Sequence, residues 1–222
     1  MTSIDVLTWN IYYGERDGLS SQQRLKNIFN IALNKNIHLI FLQEFNGCEK
    51  DVKEVLENSQ YLYSIIPECS NKFSLRASTS NRYYLVIYEK NSCKITNLNF
   101  FLEDKFIYHL NSNYLRCPIQ IEVLKDNKNY NFYLLHSEAW KEYAKETIDI
   151  WKRCIDPSTQ NIILLGDLNL EVGDIPLDNS YKGVSDKLDH ILTKNNCKQI
   201  TLDNYPKSDH HFPIALTIKS QY

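Results

Sequence analysis

Apolar residues recur along this chain with two periods, one typical of β-strands and one typical of α-helices. Runs rich in Ile, Val, Leu, Tyr and Phe, bounded by Asn, Asp, Gly and Lys, predict strands. Eight such runs are IDVLTWNI, IHLIFLQE, YYLVIYEK, LRCPIQIEV, NYNFYLLHS, NIILLGDLNL, LDHILTK and HFPIALTI. The pattern therefore predicts a chain with many strands.

Three segments between these runs carry apolar residues at helical spacing. They read SSQQRLKNIFNIALNKN, EKDVKEVLENS and SEAWKEYAKETIDIWKRC. Ser20 or Ser21 is the expected N-cap of the first helix, and the third should end before Pro157. Helices interleaved with many strands predict a mixed α/β or α+β domain with packed sheets.

Composition narrows the class of protein. The 222 residues suffice for one sizeable core, so a single domain over residues 1–222 is expected. A net charge of −2 argues against a basic footprint over the whole chain, although 25 Lys and Arg leave room for a local basic face. Six scattered cysteines and the absence of a secretory leader indicate reduced thiols and a cytoplasmic location. No membrane segment is expected, and no protein partner can be inferred.

Polar residues gather where predicted strands begin or end. They are Asn10, Glu44, His136, Asp167 and Asn169, with Asp189 inside a strand and Asp209, His210 and His211 before the last one. Strand ends that converge on one edge of a sheet assemble a site from distant parts of the chain. Carboxylate and amide oxygens suit a hard divalent cation, and a histidine paired with an aspartate suits a general base or a charge stabiliser. The set predicts metal-assisted hydrolysis by water, with phosphate as the natural electrophile.

Each of these residues also has a purely structural interpretation. Asn10 would cap a turn, His136 would be a hydrogen-bonded core histidine, and the pair Asp167 and Asn169 would form an Asx-turn. Asp189 is harder to explain in this way, because a buried carboxylate needs a partner. The coincidence of several such termini, all with types that suit one reaction, favours a shared site.

The chain resembles the endonuclease/exonuclease/phosphatase family, which has the fold of DNase I. The matching stretches occur in the family's order over residues 7–216, and read LTWNIYYG, LIFLQE, LRCPIQIEV, YLLHSEAW, IILLGDLNL, LDHIL and SDHHFPIAL. LLGDLN and SDH are the most specific of them. The resemblance implies an α/β fold, a four-layer sandwich of two packed mixed β-sheets flanked by helices.

The resemblance also implies a Mg²⁺ site and a phosphate site. Glu44 would be the main metal ligand, with Asn10 and Asp209 beside it, and Mn²⁺ would substitute for Mg²⁺. Arg116 matches the family arginine that contacts substrate phosphate, which suits its permanently charged fork. The alternative for Arg116 is an ordinary surface salt bridge.

Four further residues receive catalytic roles from the resemblance. His136 would stabilise the pentavalent phosphorane. Asp167 would orient or deprotonate the attacking water, and Asn169 would hold that water or a phosphate oxygen. Asp189 would accept a hydrogen bond from the catalytic histidine and so fix its tautomer.

The chain departs from the family pattern at two places. The usual ending is S-D-H-x-P, but one extra residue precedes Pro213. Counting forward from Ser208 makes His210 catalytic and keeps Asp209 at the metal. Counting back from Pro213 makes His211 catalytic and puts His210 where the family has its aspartate. The first register is preferred, because the second loses a carboxylate beside a cation.

The second departure concerns the partner of His136. The segment STSNRYYLVIYEK has no obvious acid to pair with this histidine. Tyr83 or Tyr84 is the expected substitute as a hydrogen-bond partner.

The expected function is that of a nuclease that hydrolyses phosphodiester bonds in DNA or RNA, with nucleic acid as its partner. One alternative is a phosphatase or phosphodiesterase acting on a small-molecule or lipid phosphate ester. Another is a non-catalytic binding protein on the same fold, against which the intact set of polar residues speaks. The family core does not choose among these substrates.

Overall fold

A computed structural model of the chain describes residues 2–11, 18–68, 82–101, 116–203 and 211–220. In chain order its strands are β1 Ser3–Asn10, β2 Leu39–Phe45, β3 Tyr61–Pro67, β4 Tyr83–Glu89, β5 Lys94–Phe100, β6 Ile119–Lys125, β7 Lys128–Leu134, β8 Ile162–Asp167, β9 Lys182–Asp186, β10 Asp189–Thr193, β11 Cys197–Ile200 and β12 Ile214–Lys219. The helices are α1 Ser21–Asn34, α2 Glu49–Leu56 and α3 Lys141–Cys154, with a short 3₁₀ helix at Val172–Asp174.

These strands form two six-stranded mixed sheets. The first sheet has the order β11-β12-β1-β2-β4-β3, and the second has the order β5-β6-β7-β8-β10-β9. Near the middle of the first sheet β1 is parallel to β2, and near the middle of the second β7 is parallel to β8. The runs LIFL and IILL are continuously apolar because both faces of these central strands are buried.

The sheets pack face to face, and helices cover both outer faces. Between the sheets, the rings of Phe41 and Phe132 lie 5.1 Å apart in a shared apolar core. Helices α1 and α2 pack on the outer face of the first sheet, where Trp9 is fully buried. Helix α3 covers the second sheet through Trp151. The predicted four-layer sandwich is confirmed.

The ends of two helices show how the sequence sets the boundaries. Ser20 caps α1 in a capping box with Gln23, so the first of the two predicted caps is the right one. Helix α3 ends at Cys154, before Pro157, as predicted. It begins at Lys141, four residues later than the apolar pattern suggested, because the backbone of Trp140 is extended (φ −96°, ψ 119°).

Two further expectations concern cysteines and membranes. The five cysteines within the described ranges are free thiols, and Cys69 lies outside those ranges. No helix in the described parts of the chain combines the length and the apolar character needed to span a bilayer.

Candidate active site

The polar residues converge at the edge where the two sheets face each other. Asn10 ends β1, Glu44 lies near the end of β2, Asp167 ends β8 and Asp189 begins β10. Each of these side chains is almost fully buried. Because β1 and β2 are parallel, their carboxyl ends lie at one edge of the first sheet. The hydrogen bond between Asn10 and Asp167 shows that β8 of the facing sheet ends at the same edge.

Asn10 connects the two sheets at this edge. Its side-chain Nδ2 donates to Asp167 Oδ2 at 2.9 Å, and its backbone N–H donates to Asp189 Oδ1 at 3.3 Å. It is therefore not simply a turn cap. The contact with Asp167 holds one carboxylate oxygen in a fixed position.

A close backbone approach positions His136 beside Asp167. The chain after β7 continues alongside β8, with Leu135 N–H bonded to the Leu165 carbonyl and Ser137 N–H bonded to the Asp167 carbonyl. Gly166 permits this approach, since a Cβ there would lie 2.2 Å from the Leu135 carbonyl oxygen and the residue has φ +121°.

His136 is held by a carboxylate that the sequence analysis did not identify. Its Nδ1 lies 2.8 Å from Glu68 Oε2, while its Nε2 lies 3.5 Å from Glu44 Oε1 and 3.6 Å from Asp167 Oδ2. Glu68 also accepts a hydrogen bond from the Glu44 backbone N–H. Burial would raise the pKa of Glu68, but the charge and hydrogen bond of His136, the Glu44 backbone N–H and the charge of Arg116 together lower it.

The signal for Glu68 was present in another part of the sequence. This residue follows the apolar run YLYSIIP, so it is one more carboxylate at a strand end. The expected substitute Tyr84 does touch His136, but its hydroxyl accepts from the backbone N–H at 2.9 Å rather than from the ring. The acid was sought only in the segment STSNRYYLVIYEK, whereas the acid that pairs with His136 follows β3, so a tyrosine substitute for the ring contact is not needed.

Asp189 has a histidine partner, and that partner is His211. The His211 Nδ1 lies 2.8 Å from Asp189 Oδ2, and its Nε2 lies 3.7 Å from Asp167 Oδ2. The Trp9 indole N–H donates to the His211 carbonyl at 3.3 Å and anchors this part of the chain. This geometry supports the register counted back from Pro213.

The other residues of that register question, Asp209 and His210, lie outside the described residues. The assignment of Asp209 to the metal and of His210 to catalysis thus stays a prediction.

The surroundings of the pair raise the pKa of both Asp189 and His211. Burial is the main cause that raises the pKa of Asp189, and the hydrogen bond from His211 opposes it. Burial would lower the pKa of His211, but the hydrogen bond and charge of Asp189, together with the charges of Asp167 and Glu44, raise it. Both raised pKa values favour retention of a proton by the pair of Asp189 and His211.

Asn169 and Arg116 flank the core of the site. The Asn169 backbone N–H donates to Asp167 Oδ1 at 3.0 Å, and its Nδ2 donates to the Ser137 carbonyl at 2.9 Å. Arg116 Nη1 donates to the His136 carbonyl at 3.3 Å, and Arg116 Nε lies 3.5 Å from Glu138 Oε1. Asn169 therefore does form the Asx-type contact, and it does so within the site. Arg116 is similarly part of the site and not an isolated surface pair.

Glu44 has the character expected of a cation ligand. Its Oε2 is buried and has no hydrogen-bond partner among the described residues. A buried carboxylate oxygen without a donor is costly, and a hard divalent cation would satisfy it. Among those same residues, no group of three or more His, Cys, Asp or Glu side chains is arranged to hold a metal ion. Mg²⁺ is commonly held by only one or two carboxylates together with water, so the residues fit such an ion.

Comparisons with known proteins agree with this fold. A family model described as "Endonuclease/Exonuclease/phosphatase family" matches residues 7–210. A search of curated proteins finds no significant match.

Solved structures of three relatives illustrate the similarity. The endonuclease/exonuclease/phosphatase from Bacteroides vulgatus has a TM-score of 0.68 at 15% identity, covering 100% of each chain. The mannosyl-6-phosphatase of Bacteroides thetaiotaomicron has a TM-score of 0.68 at 13% identity, covering 96% of this chain and 98% of that one. D. rerio TDP2 complexed with a single-strand DNA product has a TM-score of 0.65 at 13% identity, covering 99% and 100%. At these identities the likeness shows the fold.

Proposed function

Because the chain belongs to the endonuclease/exonuclease/phosphatase family, we propose that it is a divalent-metal-dependent phosphoesterase that hydrolyses phosphodiester bonds in nucleic acid. One observation carries this proposal. The buried carboxylate of Asp167 faces two imidazoles, each backed by its own acid, beside the unsatisfied Oε2 of Glu44. This arrangement suits charge stabilisation and water activation around a phosphate.

Glu44 would hold Mg²⁺ or Mn²⁺, with Asn10 beside it. Asp209 keeps a place at the metal only in the register that makes His210 catalytic. The ion would supply Lewis-acid neutralisation of the phosphate charge. Arg116 would bind a phosphate oxygen through its guanidinium, since its side chain is 21% exposed and lies against His136.

Asp167 would orient and deprotonate the attacking water. Its Oδ2 is fixed by Asn10 Nδ2 at 2.9 Å, so it need not reorganise during the reaction. Asn169 is bound to the other oxygen of Asp167 through its backbone N–H and would help to hold that water or a phosphate oxygen.

The two histidines would stabilise the charge that develops on the phosphate. Asp189 fixes the tautomer of His211 by accepting from Nδ1, which leaves Nε2 directed at Asp167. Glu68 does the same for His136. In this proposal His211 takes the place that the sequence analysis gave to His210, because Asp189 contacts His211.

A phosphatase acting on a small phosphate ester is the second candidate. The likeness to a mannosyl-6-phosphatase supports it, whereas the likeness to a structure complexed with a single-strand DNA product supports a nucleic-acid substrate. A non-catalytic binding protein is disfavoured by the intact and internally paired site.

A substrate panel tests the proposal. Plasmid DNA, single-stranded DNA, RNA, a phosphoinositide and a hexose 6-phosphate would each be incubated with Mg²⁺ or Mn²⁺, and in parallel with excess EDTA. We expect metal-dependent cleavage of at least one nucleic acid. Release of phosphate from the monoester alone would favour the phosphatase, and no hydrolysis of any substrate would contradict both enzymes. Asp167→Asn is the matched inactive control, and its loss should lie in kcat rather than in KM.

A further inference from the structure

The guanidinium of Arg82 already contacts Glu44, the carboxylate that would hold the metal. Arg82, just before β4, places Nη1 3.0 Å from Glu44 Oε1. Its side chain is 35% exposed, whereas that of Glu44 is 8% exposed, so the guanidinium reaches from the surface into the site. The Glu68 backbone N–H donates to the Arg82 carbonyl at 3.2 Å, which fixes the backbone of Arg82 beside the site.

This contact provides a counter-charge in an acidic site. Glu44, Glu68, Asp167 and Asp189 are all buried at the same edge of the sandwich. Arg116 lies against His136 and Glu138, so it neutralises another part of the cluster. Arg82 is the guanidinium that contacts Glu44, and it leaves Oε2 of the same carboxylate without a hydrogen-bond partner in the described structure.

We propose that Arg82 competes with the divalent cation for Glu44 and, once displaced from it, binds a phosphate oxygen of the substrate. The proposal rests on the proposed function. Two positive charges on one buried carboxylate repel each other strongly, because the surroundings screen them poorly. With a divalent cation on Glu44, Arg82 would therefore hold this carboxylate less tightly, and its exposed side chain would leave without burying a new charge.

The displaced guanidinium would still lie next to Glu44, and hence next to a phosphate bound there. A planar guanidinium suits two oxygens of a phosphate, and Lys cannot reproduce this fork. Metal binding would thus prepare the phosphate site, so that substrate binds better after the metal than before it. Arg82 would oppose metal binding and favour substrate binding.

The test measures the effects of Arg82 on metal binding and on substrate binding separately, because the two are expected to be opposite. The variants are Arg82→Gln and Arg82→Lys in the full chain, with Arg153→Gln as a matched control. Arg153 lies on α3 and donates to the Asp149 carbonyl at 3.2 Å, away from the site. Mn²⁺ affinity would be measured by calorimetry without substrate, Tm with and without Mn²⁺, and KM for a nucleic-acid substrate at saturating Mn²⁺.

We expect Arg82→Gln to bind Mn²⁺ on the order of tenfold more tightly than the wild type, because a competing positive charge is gone. Its Tm without metal should fall, and the difference from the wild type should narrow with Mn²⁺. Its KM should rise on the order of tenfold. Arg82→Lys should retain the wild-type Mn²⁺ affinity more closely than Arg82→Gln but share its raised KM, and Arg153→Gln should match the wild type throughout.

Unchanged or weaker Mn²⁺ binding by Arg82→Gln would overturn the proposal, since Arg82 would then merely position Glu44. Tighter Mn²⁺ binding with an unchanged KM would overturn the phosphate role. If Arg82→Gln fails to fold, Arg82→Met replaces it in the Mn²⁺ titration, and the KM of Arg82→Lys decides the phosphate role. A wild type that binds no Mn²⁺ and hydrolyses no substrate would instead contradict the proposed function. A wild type that does both leaves that function standing whatever Arg82 does.

Discussion

At the scale of single residues, the contacts of the site meet at one atom, Asp167 Oδ2. Asn10 Nδ2 lies 2.9 Å from it, His136 Nε2 lies 3.6 Å away and His211 Nε2 lies 3.7 Å away. An oxygen held by an amide and faced by two imidazoles keeps its position without help from solvent. Such preorganisation is where enzymes gain much of their rate.

Substitution of the two adjacent histidines should change kcat to very different extents. His211→Ala removes the partner of Asp189, so we expect kcat to fall by about 10²- to 10⁴-fold under saturating metal. His210→Ala is the matched control and should keep kcat within about threefold of the wild type. Loss of turnover in His210→Ala with near-normal turnover in His211→Ala would restore the forward-counted register.

Glu68→Gln tests the acid behind His136. The amide keeps the shape of the side chain but removes the negative charge that fixes the imidazole, so kcat should fall by about 10- to 100-fold with little change in KM. Glu122→Gln, on β6 and away from the site, is a suitable control. An unchanged kcat in Glu68→Gln would mean that His136 does not depend on this acid.

Much of the site follows from one rule, that polar residues at strand ends converge. This rule brings Asn10, Glu44, His136, Asp167 and Asp189 to one place. The rule did not lead to Glu68, because the acid that pairs with His136 was sought in the wrong segment. The histidine register could not be found by counting, because one extra residue can be accommodated on either side of the pair. The contact with Asp189 distinguishes the two histidines, and it depends on the packing of β10 against the segment before β12.

At the scale of elements, the end of β8 is the most constrained part of the site. Gly166→Ala would place a Cβ 2.2 Å from the Leu135 carbonyl oxygen at φ +121°, so the backbone must move. We expect a loss of unfolding free energy of about 2–4 kcal/mol in urea titrations, together with lower kcat as Asp167 shifts. Gly173→Ala should be near neutral, since nothing lies within 4 Å of its Cβ. Equal stability of the two variants would contradict the close approach of β8 to the chain after β7.

A buried histidine connects β10 to the loop after β8 and makes stability depend on pH. His190 Nε2 lies 2.7 Å from the Leu170 carbonyl and Nδ1 lies 2.7 Å from Ser185 Oγ. Burial lowers the pKa of His190 below its usual 6.5. The neutral form is therefore favoured by folding. The neutral imidazole of His190 therefore contributes fully to the free energy of unfolding well above pH 6.5. This contribution is lost as the pH falls through the lower pKa of the folded state.

We expect Tm to fall between about pH 7.5 and pH 5, and to fall less in His190→Gln, which has no proton to gain. His38, whose pKa burial also lowers, would account for part of the slope that remains. If the Tm of His190→Gln fell as steeply with pH as that of the wild type, His190 would not be a source of the pH dependence.

Sequence patterns missed four of the twelve described strands. β5, β9 and β11 have few fully buried residues, and much of their sequence is polar or small, so hydrophobic patterning gives little signal. β3 differs from them, because its run YLYSIIP is apolar and was overlooked. Central strands such as β2 and β8 were predicted because they are buried on both faces. β6 starts at Ile119, after the predicted run begins, since Pro118 cannot donate a ladder hydrogen bond.

At the scale of the whole molecule, the site belongs to neither sheet alone. Glu44 and Asn10 come from the first sheet, whereas Asp167 and Asp189 come from the second. The fold could be predicted because its strands carry ordered motifs, but the substrate could not, because one fold supports many phosphate esters. A buried acidic cluster in a chain of net charge −2 would repel a phosphate unless a cation were bound first.

The central claim is that phosphodiester hydrolysis depends on a divalent cation held by Glu44. The most direct measurement is the hydrolysis of bis(p-nitrophenyl) phosphate by metal-stripped wild type and Glu44→Gln over a titration of Mg²⁺ and Mn²⁺. We expect no turnover by the stripped wild type, saturable recovery on adding metal, and a loss of at least about 10²-fold in the variant at every metal concentration. Full activity in excess EDTA, or equal activity of Glu44→Gln and the wild type, would contradict the account.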